Sequence, residues 1–231
     1  MRDILPVSVE ALLSHTPLFS GLASDEIARI ASATQPLRVS RGDMLFYPGD
    51  RCKGVHILAH GKVKLFLTSA QGGEKVVDIV EQGGSFGEAL MFMDKDYIVS
   101  GQAITDSLLL HVGKEALFAE LDKDPQLGIK MLLGLASREY RLLCDVESYS
   151  LHSGIQRLIG YLLHETPEQA TDDAPFELTL NAPKGVIASR LNLTQEHFSR
   201  LLGELSGRGL IEVNGALITI PSLARLRAAQ F

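Results

Sequence analysis

The sequence predicts an α+β protein in which a β-roll is followed by a long helix and a winged helix-turn-helix. Three observations predict this order. Between residues 37 and 112 apolar residues recur with a period of two, and glycines interrupt them at short intervals. Residues 114–149 change to helical spacing. The last third contains two short helical segments followed by a hairpin signal. We therefore divide the chain at residues 1–123, 124–149 and 150–231.

Composition is that of a folded globular protein, because 45% of the 231 residues are hydrophobic and 22% are charged. No apolar run approaches the roughly 18 residues of a membrane-spanning helix, so no membrane partner is expected. Residues 1–6 lack the apolar core of a signal peptide. Cys52 and Cys144 are too few and too far apart in sequence for a disulfide framework, and a cytoplasmic location is expected.

The N-terminal region begins with a helical lead over residues 4–33. Glycine-containing turns then separate short segments with strand periodicity, which is typical of a compact β-roll. Residues 55–58 and 61–67 are interpreted as the two strands of a hairpin.

Pro125 suits the first turn of the long helix that follows the roll. This helix carries two apolar seams, of which the first is interrupted by Glu139. The first seam consists of Leu132, Leu135, Leu142 and Val146. The second consists of Ile129, Leu133, Ala136, Tyr140 and Leu143. Two seams need two partners, and we expect the β-roll to cover one and a second identical subunit the other. Burial within a single subunit is the alternative. Residues 148–154 are interpreted as a polar hinge.

A helix-turn-helix is predicted between Pro183 and Leu205. Pro183 begins the first helix, and Asn192, which tolerates a positive φ, ends it. Thr194 can cap the second helix, whose apolar residues return at helical spacing. The second helix of this motif reads base edges with its N-terminal residues. The segment therefore predicts that the partner is double-stranded DNA.

A wing follows the second helix. Residues 209–213 and 216–220 alternate like strands, and Asn214-Gly215 between them is a strong hairpin signal. The whole chain has a net charge of −6, whereas residues 183–208 contain four basic and two acidic side chains. This small local excess suits a DNA-binding protein that depends on dimerisation and specific contacts more than on phosphate contacts.

Three motifs, taken with the helix-turn-helix, resemble those of a known protein family, and the resemblance extends over nearly the whole chain. They are residues 42–49 (GDMLFYPG), residues 56–63 (HILAHGKV) and residues 84–88 (GSFGE). Together with the helix-turn-helix they resemble the CRP/FNR superfamily. The resemblance implies a cyclic-nucleotide-binding-like β-roll as the sensor domain, residues 124–149 as the dimerisation helix and residues 150–231 as the DNA-binding domain. It also implies a homodimeric transcription regulator, not an enzyme, with RNA polymerase as a further partner.

The resemblance also indicates an effector pocket. In cyclic-nucleotide binders of this superfamily a Gly-Glu pair holds the ribose, and an arginine holds the phosphate. Gly87 and Glu88 match the pair, but Tyr97 stands at the arginine position. A neutral phenol cannot replace a bidentate guanidinium, so cyclic AMP is not the expected effector. Two cysteines cannot complete a four-thiolate site, so no iron–sulfur cluster is expected.

Residues 88–94 (EALMFMD) resemble the dissimilatory nitrate respiration regulator branch. That branch implies haem as the cofactor, nitric oxide as the signal, and control of nitrogen-oxide respiration or nitrosative-stress genes. His15 and His152 are the candidate haem ligands, although neither lies in a haem-attachment motif. A different small effector in the β-roll is the second hypothesis, and a nucleotide-responsive regulatory subunit of an enzyme is the third.

The reading helix matches the Glu-x-x-Ser-Arg pattern of the fumarate-nitrate type at Glu196, Ser199 and Arg200, which implies a TTGAT-type half-site in a palindrome. The chemistry agrees, because arginine donates twice to guanine and glutamate accepts from cytosine. Thr194 and Gln195 complete the predicted contact set. A phosphate contact is the alternative role for Arg200.

Overall fold

The computed structural model describes residues 8–19, 21–167, 172 and 174–229, so the helical expectation for residues 4–7 lies outside them. The chain forms two compact units, residues 1–140 and 141–231, and each has its own hydrophobic core. The predicted α+β class is confirmed. Within the described ranges no helix is both long and apolar enough to cross a membrane.

The N-terminal lead consists of α1 (Val9–Ser14), a 3-10 turn (Pro17–Phe19) and α2 (Ser24–Ser32). The Ser8 side chain caps α1 by accepting from the N–H of Ala11. Leu13 and Ile30 are fully buried and join these helices to the core of the first unit.

The β-roll consists of two four-stranded antiparallel sheets. Its strands are β1 (Thr34–Val39), β2 (Met44–Phe46), β3 (Gly54–His60), β4 (Val63–Thr68), β5 (Glu74–Val80), β6 (Ser85–Phe86), β7 (Ser100–Ala103) and β8 (Ser107–Gly113), with α3 (Glu88–Met93) between β6 and β7. The sheet orders are β1-β8-β3-β6 and β2-β7-β4-β5.

The predicted hairpin over residues 55–67 is wrong. β3 pairs with β8 and β6, whereas β4 pairs with β5 and β7 in the other sheet. The chain changes sheets at Gly61, whose φ is +92°. A Cβ at this position would lie 2.2 Å from the Ser107 hydroxyl, so a side chain is excluded from this turn.

The roll is followed by α4 (Lys114–Leu121) and the long helix α5 (Pro125–Leu151), which begins at the predicted proline. Leu127 and Met131 are the α5 side chains buried in the core of the first unit. The expectation that the β-roll covers one of the two seams is therefore wrong. Seven seam residues are exposed on the single chain, namely Ile129, Leu132, Leu133, Tyr140, Leu142, Leu143 and Val146. Ala136 is also exposed, and Leu135 is half-buried.

In its described ranges, the second unit contains the last turns of α5 and seven further elements. These are α6 (Gly154–His164), β9 (Phe176–Thr179), α7 (Lys184–Arg190), α8 (Gln195–Gly207), β10 (Glu212–Asn214), β11 (Leu217–Ile220) and α9 (Leu223–Arg227). β10, β11 and β9 form a three-stranded sheet in that order. β9 was not predicted from the sequence.

Two local expectations in this unit need correction. The hinge at residues 148–154 is shorter than predicted, because α5 stays helical to Leu151 and α6 begins at Gly154. The Ser153 hydroxyl accepts from the N–H of Gln156, which makes Ser153 the cap of α6. In the wing, Asn214 pairs with Leu217, so the connecting residues are 215 and 216.

Candidate nucleic-acid interface

The turn between α7 and α8 has the geometry that the sequence predicts. Asn192 adopts a φ of +58° and ends the first helix. The N–H of Leu193 donates to the carbonyl of Ala188 at 2.9 Å, which closes the turn. Ala188 and Phe198 are fully buried, so the two helices meet in a small apolar core.

The reading helix α8 has one buried and one exposed face. The Thr194 hydroxyl accepts from the N–H of His197 at 3.2 Å, which confirms its predicted capping role. The buried face consists of Phe198, Leu201, Leu202 and Leu205. All five predicted DNA contacts are exposed, namely Thr194, Gln195, Glu196, Ser199 and Arg200. The last four form a continuous stripe at the N-terminal end of α8, where a major-groove helix makes its base contacts.

A groove beside this stripe joins the first helix, the reading helix and the wing. It is lined by Lys184, Ser199, Leu202, Gly203, Ser206 and Val213. Lys184 thus supplies a positive charge next to Ser199. The sequence did not assign a contact to Lys184, and its place in the local charge excess was the only available signal. Gly185 lies against the start of α8, because a Cβ there would be 2.8 Å from the Gln195 side-chain oxygen.

Gly87 and Glu88 lie where β6 leads into α3. Gly87 adopts a φ of +101°, and a Cβ there would lie 2.9 Å from the carbonyl oxygen of Gly54. Glu88 is buried, and its carboxylate accepts from Arg138 of α5 at 3.1 Å. Arg138 also donates to the carbonyl of Ser85. The carboxylate predicted to bind an effector is therefore bonded to the long helix, a contact that the sequence did not reveal.

Tyr97 fills space beside this pair instead of pointing to solvent. Its ring stacks on Phe46 with centroids 3.7 Å apart, and the residue is only 5% exposed. Its hydroxyl would lie 3.4 Å from a Cβ on Gly87, so the structure brings the predicted pocket residues together. Burial raises the pKa of Tyr97 above its ordinary value, which keeps the phenol neutral. The position assigned to a phosphate-binding arginine is therefore an aromatic packing site.

Two histidines also face each other in the β-roll. His56 and His111 are directly opposite on β3 and β8, with ring centroids 4.6 Å apart. The His56 ring stacks on Phe86, and its Nδ1 is 3.4 Å from the Tyr97 hydroxyl. Burial, and secondarily the charge of His111, lower the pKa of His56 to about 3. The pairing depends on strand register, so spacing in the sequence could not reveal it.

The two candidate haem ligands are both exposed. His15 follows α1, and its Nδ1 lies 2.6 Å from the carbonyl of Ala11. His152 follows α5, between exposed neighbours on both sides. Among the described residues, both imidazoles are therefore open to solvent and not enclosed as the haem ligands of a buried macrocycle are. Across the described residues, no group of three or more His, Cys, Asp or Glu side chains is placed to bind a metal ion.

Comparison with known proteins identifies both units. Residues 36–124 match the cyclic nucleotide-binding domain, and residues 156–229 match the Crp-like helix-turn-helix domain. The cyclic AMP receptor protein of Thermus thermophilus is 25% identical over 219 residues, covering 95% of this chain and 99% of that protein. The fumarate and nitrate reduction regulatory protein of Salmonella typhimurium is 28% identical over 212 residues, covering 88% and 81%.

A solved structure, that of DNR from Pseudomonas aeruginosa, is 25% identical with a TM-score of 0.51 and covers 99% of this chain and 100% of its own. The two domain matches occur in the order of the CRP/FNR regulators, and the relatives align along most of the chain. Regulators of this family bind DNA and act as dimers. The chain belongs to the CRP/FNR family of DNA-binding transcription regulators.

Proposed function

We propose that this protein is a homodimeric regulator in which α8 of each subunit reads one half of a TTGAT-type palindrome. The observation that carries the proposal is the exposed stripe at the start of α8, which lies opposite a fully packed apolar face. Arg200 is suited to bidentate recognition of guanine O6 and N7, and Glu196 is suited to accept from cytosine N4–H₂. Lys184, in the adjacent groove, is suited to a phosphate contact.

The test is binding of the full-length protein to labelled duplexes by fluorescence anisotropy at a fixed salt concentration. Arg200→Ala should weaken binding to the palindrome at least about fivefold, because a good bidentate contact contributes roughly 1–3 kcal/mol. It should also abolish discrimination against replacement of the guanine. Arg208→Ala is the matched control, because Arg208 is an exposed arginine at the other end of α8.

The outcome also separates this function from its alternatives. If the wild-type protein binds no specific DNA site, the proposal fails and a regulatory subunit of an enzyme becomes the better hypothesis. If Arg200→Ala weakens binding equally on every sequence, Arg200 contacts phosphate and the half-site assignment is wrong.

The proposed dimer forms through α5. With about 3.6 residues per turn, the two seams lie side by side and cover roughly half of the helix circumference. They combine into one coiled-coil face with a heptad core at Ile129, Leu132, Ala136, Glu139, Leu143 and Val146. Stable interfaces bury about 800 Å² per partner, and the exposed large apolar side chains of this face are available for such burial. We propose that a second copy of this chain covers the heptad face of α5, because a two-fold dimer also matches a two-fold DNA site.

The signal to which the regulator responds is proposed separately from its DNA site. We propose nitric oxide as the signal and haem as its receptor because residues 88–94 resemble the nitrate respiration regulators. The exposed positions of His15 and His152 do not add support. The absorption spectrum of protein purified from its native host tests this directly. A stoichiometric haem band and a nitric-oxide-dependent change in DNA affinity are expected, and absence of either one refutes it.

A different small effector in the β-roll is the second candidate, because a ligand that replaces Arg138 at the buried Glu88 carboxylate would act on α5. Calorimetric titration with cyclic AMP is the direct test, and micromolar binding would overturn the interpretation of Tyr97. The remaining proposed features, RNA polymerase as a partner and a cytoplasmic location, follow from transcription regulation itself.

A further inference from the structure

The last turns of α5 are bonded to the first helix of the helix-turn-helix. Asp145 and Tyr149 are one turn apart on α5, and both contact Arg190, the last residue of α7. One guanidinium nitrogen of Arg190 is 2.7 Å from the Asp145 carboxylate. The other donates to the Tyr149 hydroxyl, also at 2.7 Å. The Tyr149 hydroxyl in turn donates to the carbonyl of Arg190.

This cluster is partly shielded from water. The side chains of Arg190 and Asp145 are 22% and 23% exposed. Burial raises the pKa of Tyr149, so its hydroxyl keeps the proton that it donates. The guanidinium of Arg157, on α6, lies 6.0 Å from the centre of the Tyr149 ring. A charge-assisted pair with a second hydrogen bond is more directional than an exposed ion pair, so it can fix an angle between helices.

The position of Arg190 connects α5 to the reading helix. Its carbonyl belongs to the last turn of α7, where helix carbonyls lack intrahelical partners, and Tyr149 satisfies it. Only four positions later, Thr194 caps α8. The apolar contacts that join α7 to α8, at Ile187, Ala188 and Phe198, are fully buried and do not include the cluster. The ion pair is therefore not needed to build the motif, but it ties the motif to α5.

We propose that Arg190 is a positioning residue for DNA recognition, which holds the helix-turn-helix of each subunit at a fixed angle on α5 and thereby sets the half-site spacing that the dimer accepts. This inference rests on the proposed dimeric DNA binding. The half-sites of a dimeric helix-turn-helix protein lie about one helical turn apart, so small changes in spacing report on the rigidity of this attachment.

The experiment compares full-length proteins on duplexes that carry the palindrome selected by the wild-type protein, with its spacer changed by one or two base pairs. The wild-type protein should discriminate against altered spacers by at least about tenfold. Arg190→Ala should lose affinity on the selected spacing and keep its weaker affinity on the others, so that discrimination falls to about threefold or less. Asp145→Ala should behave in the same way.

Two controls separate positioning from damage to the fold. The reciprocal variant, Asp145→Arg with Arg190→Asp, should restore most of the spacing discrimination because it restores the ion pair. Arg208→Ala removes an arginine paired with Glu204 inside α8 and should leave discrimination unchanged. Thermal unfolding by circular dichroism should be similar in all these proteins.

The inference is overturned if Arg190→Ala keeps the wild-type spacing preference, or if the reciprocal variant behaves like the single one. A uniform loss of affinity at every spacing also overturns it, because that result reports a direct DNA contact. A wild-type protein that selects no DNA site refutes the proposed function, and this inference with it.

Discussion

Replacing His56 by Asn should make the stability of the first unit less sensitive to acid. His56 lies inside the β-roll against Phe86 and His111, and burial lowers its pKa to about 3. An unfolded chain returns this group to its ordinary pKa of about 6.5. The folded state therefore keeps His56 neutral at a pH at which the unfolded state takes up a proton.

The direction follows from proton linkage. The unfolded state binds more protons below pH 6.5, so the contribution of His56 is complete above that pH and falls as the pH decreases towards about 3. Between pH 7 and pH 5 the loss is about 2 kcal/mol from this one group. This loss of about 2 kcal/mol is the same for any pKa of folded-state His56 that lies well below 5. The pKa of His111 is also lowered by burial, so it adds a loss in the same direction.

Hydrogen–deuterium exchange of peptides from β3 and β8 measures this effect in the full-length protein, with intrinsic exchange rates corrected for pH. Between pH 7 and pH 5, the free energy of opening measured at the amides of β3 and β8 should fall in the wild-type protein. This fall should be about 2 kcal/mol larger than in His56→Asn. His60→Asn is the matched control, since His60 is exposed at the end of the same strand. Equal pH dependence of the wild-type and His56→Asn proteins would refute the assignment of His56 as a half-buried group that stays neutral in the folded state.

Three further changes test the packing on which the site depends. Glu139→Leu should tighten dimerisation about tenfold or more in sedimentation equilibrium, because it removes a carboxylate from the proposed coiled-coil core. Arg141→Leu, on the opposite side of α5, should not. Phe198→Ala should lower the free energy of unfolding by about 3–5 kcal/mol in urea titrations, because the fully buried ring fills the angle between α7 and α8. Gly87→Ala should reduce exchange protection of α3 by about 2 kcal/mol or more, because its Cβ would approach the Gly54 carbonyl at a positive φ.

The DNA-binding half was predictable because its signals are local. The positive φ of Asn192, the cap at Thr194 and the apolar spacing of α8 all lie within a few residues of one another. Each is set by backbone sterics or by a hydrogen bond three residues away. The exposed and buried faces of α8 then follow from helical periodicity alone.

The sensor half depends on contacts between distant parts of the chain. Strand periodicity located β3 and β4 but could not show that they belong to different sheets. His56 and His111 lie opposite each other because of the register between β3 and β8. β9 was missed because it is four residues long and pairs with a strand about 40 positions later. Such pairings are decided by tertiary packing and not by local preference.

The helix α5 contributes side chains to an ion pair in each unit. Arg138 bonds to Glu88 in the first unit, and Asp145 bonds to Arg190 in the second. A signal changes DNA affinity only if it binds the competing arrangements of the protein with different affinity. A ligand that competes with Arg138 for the Glu88 carboxylate acts on α5 directly. A ligand that enters the β-roll and leaves this ion pair intact must act on α5 through its buried apolar side chains, Leu127 and Met131.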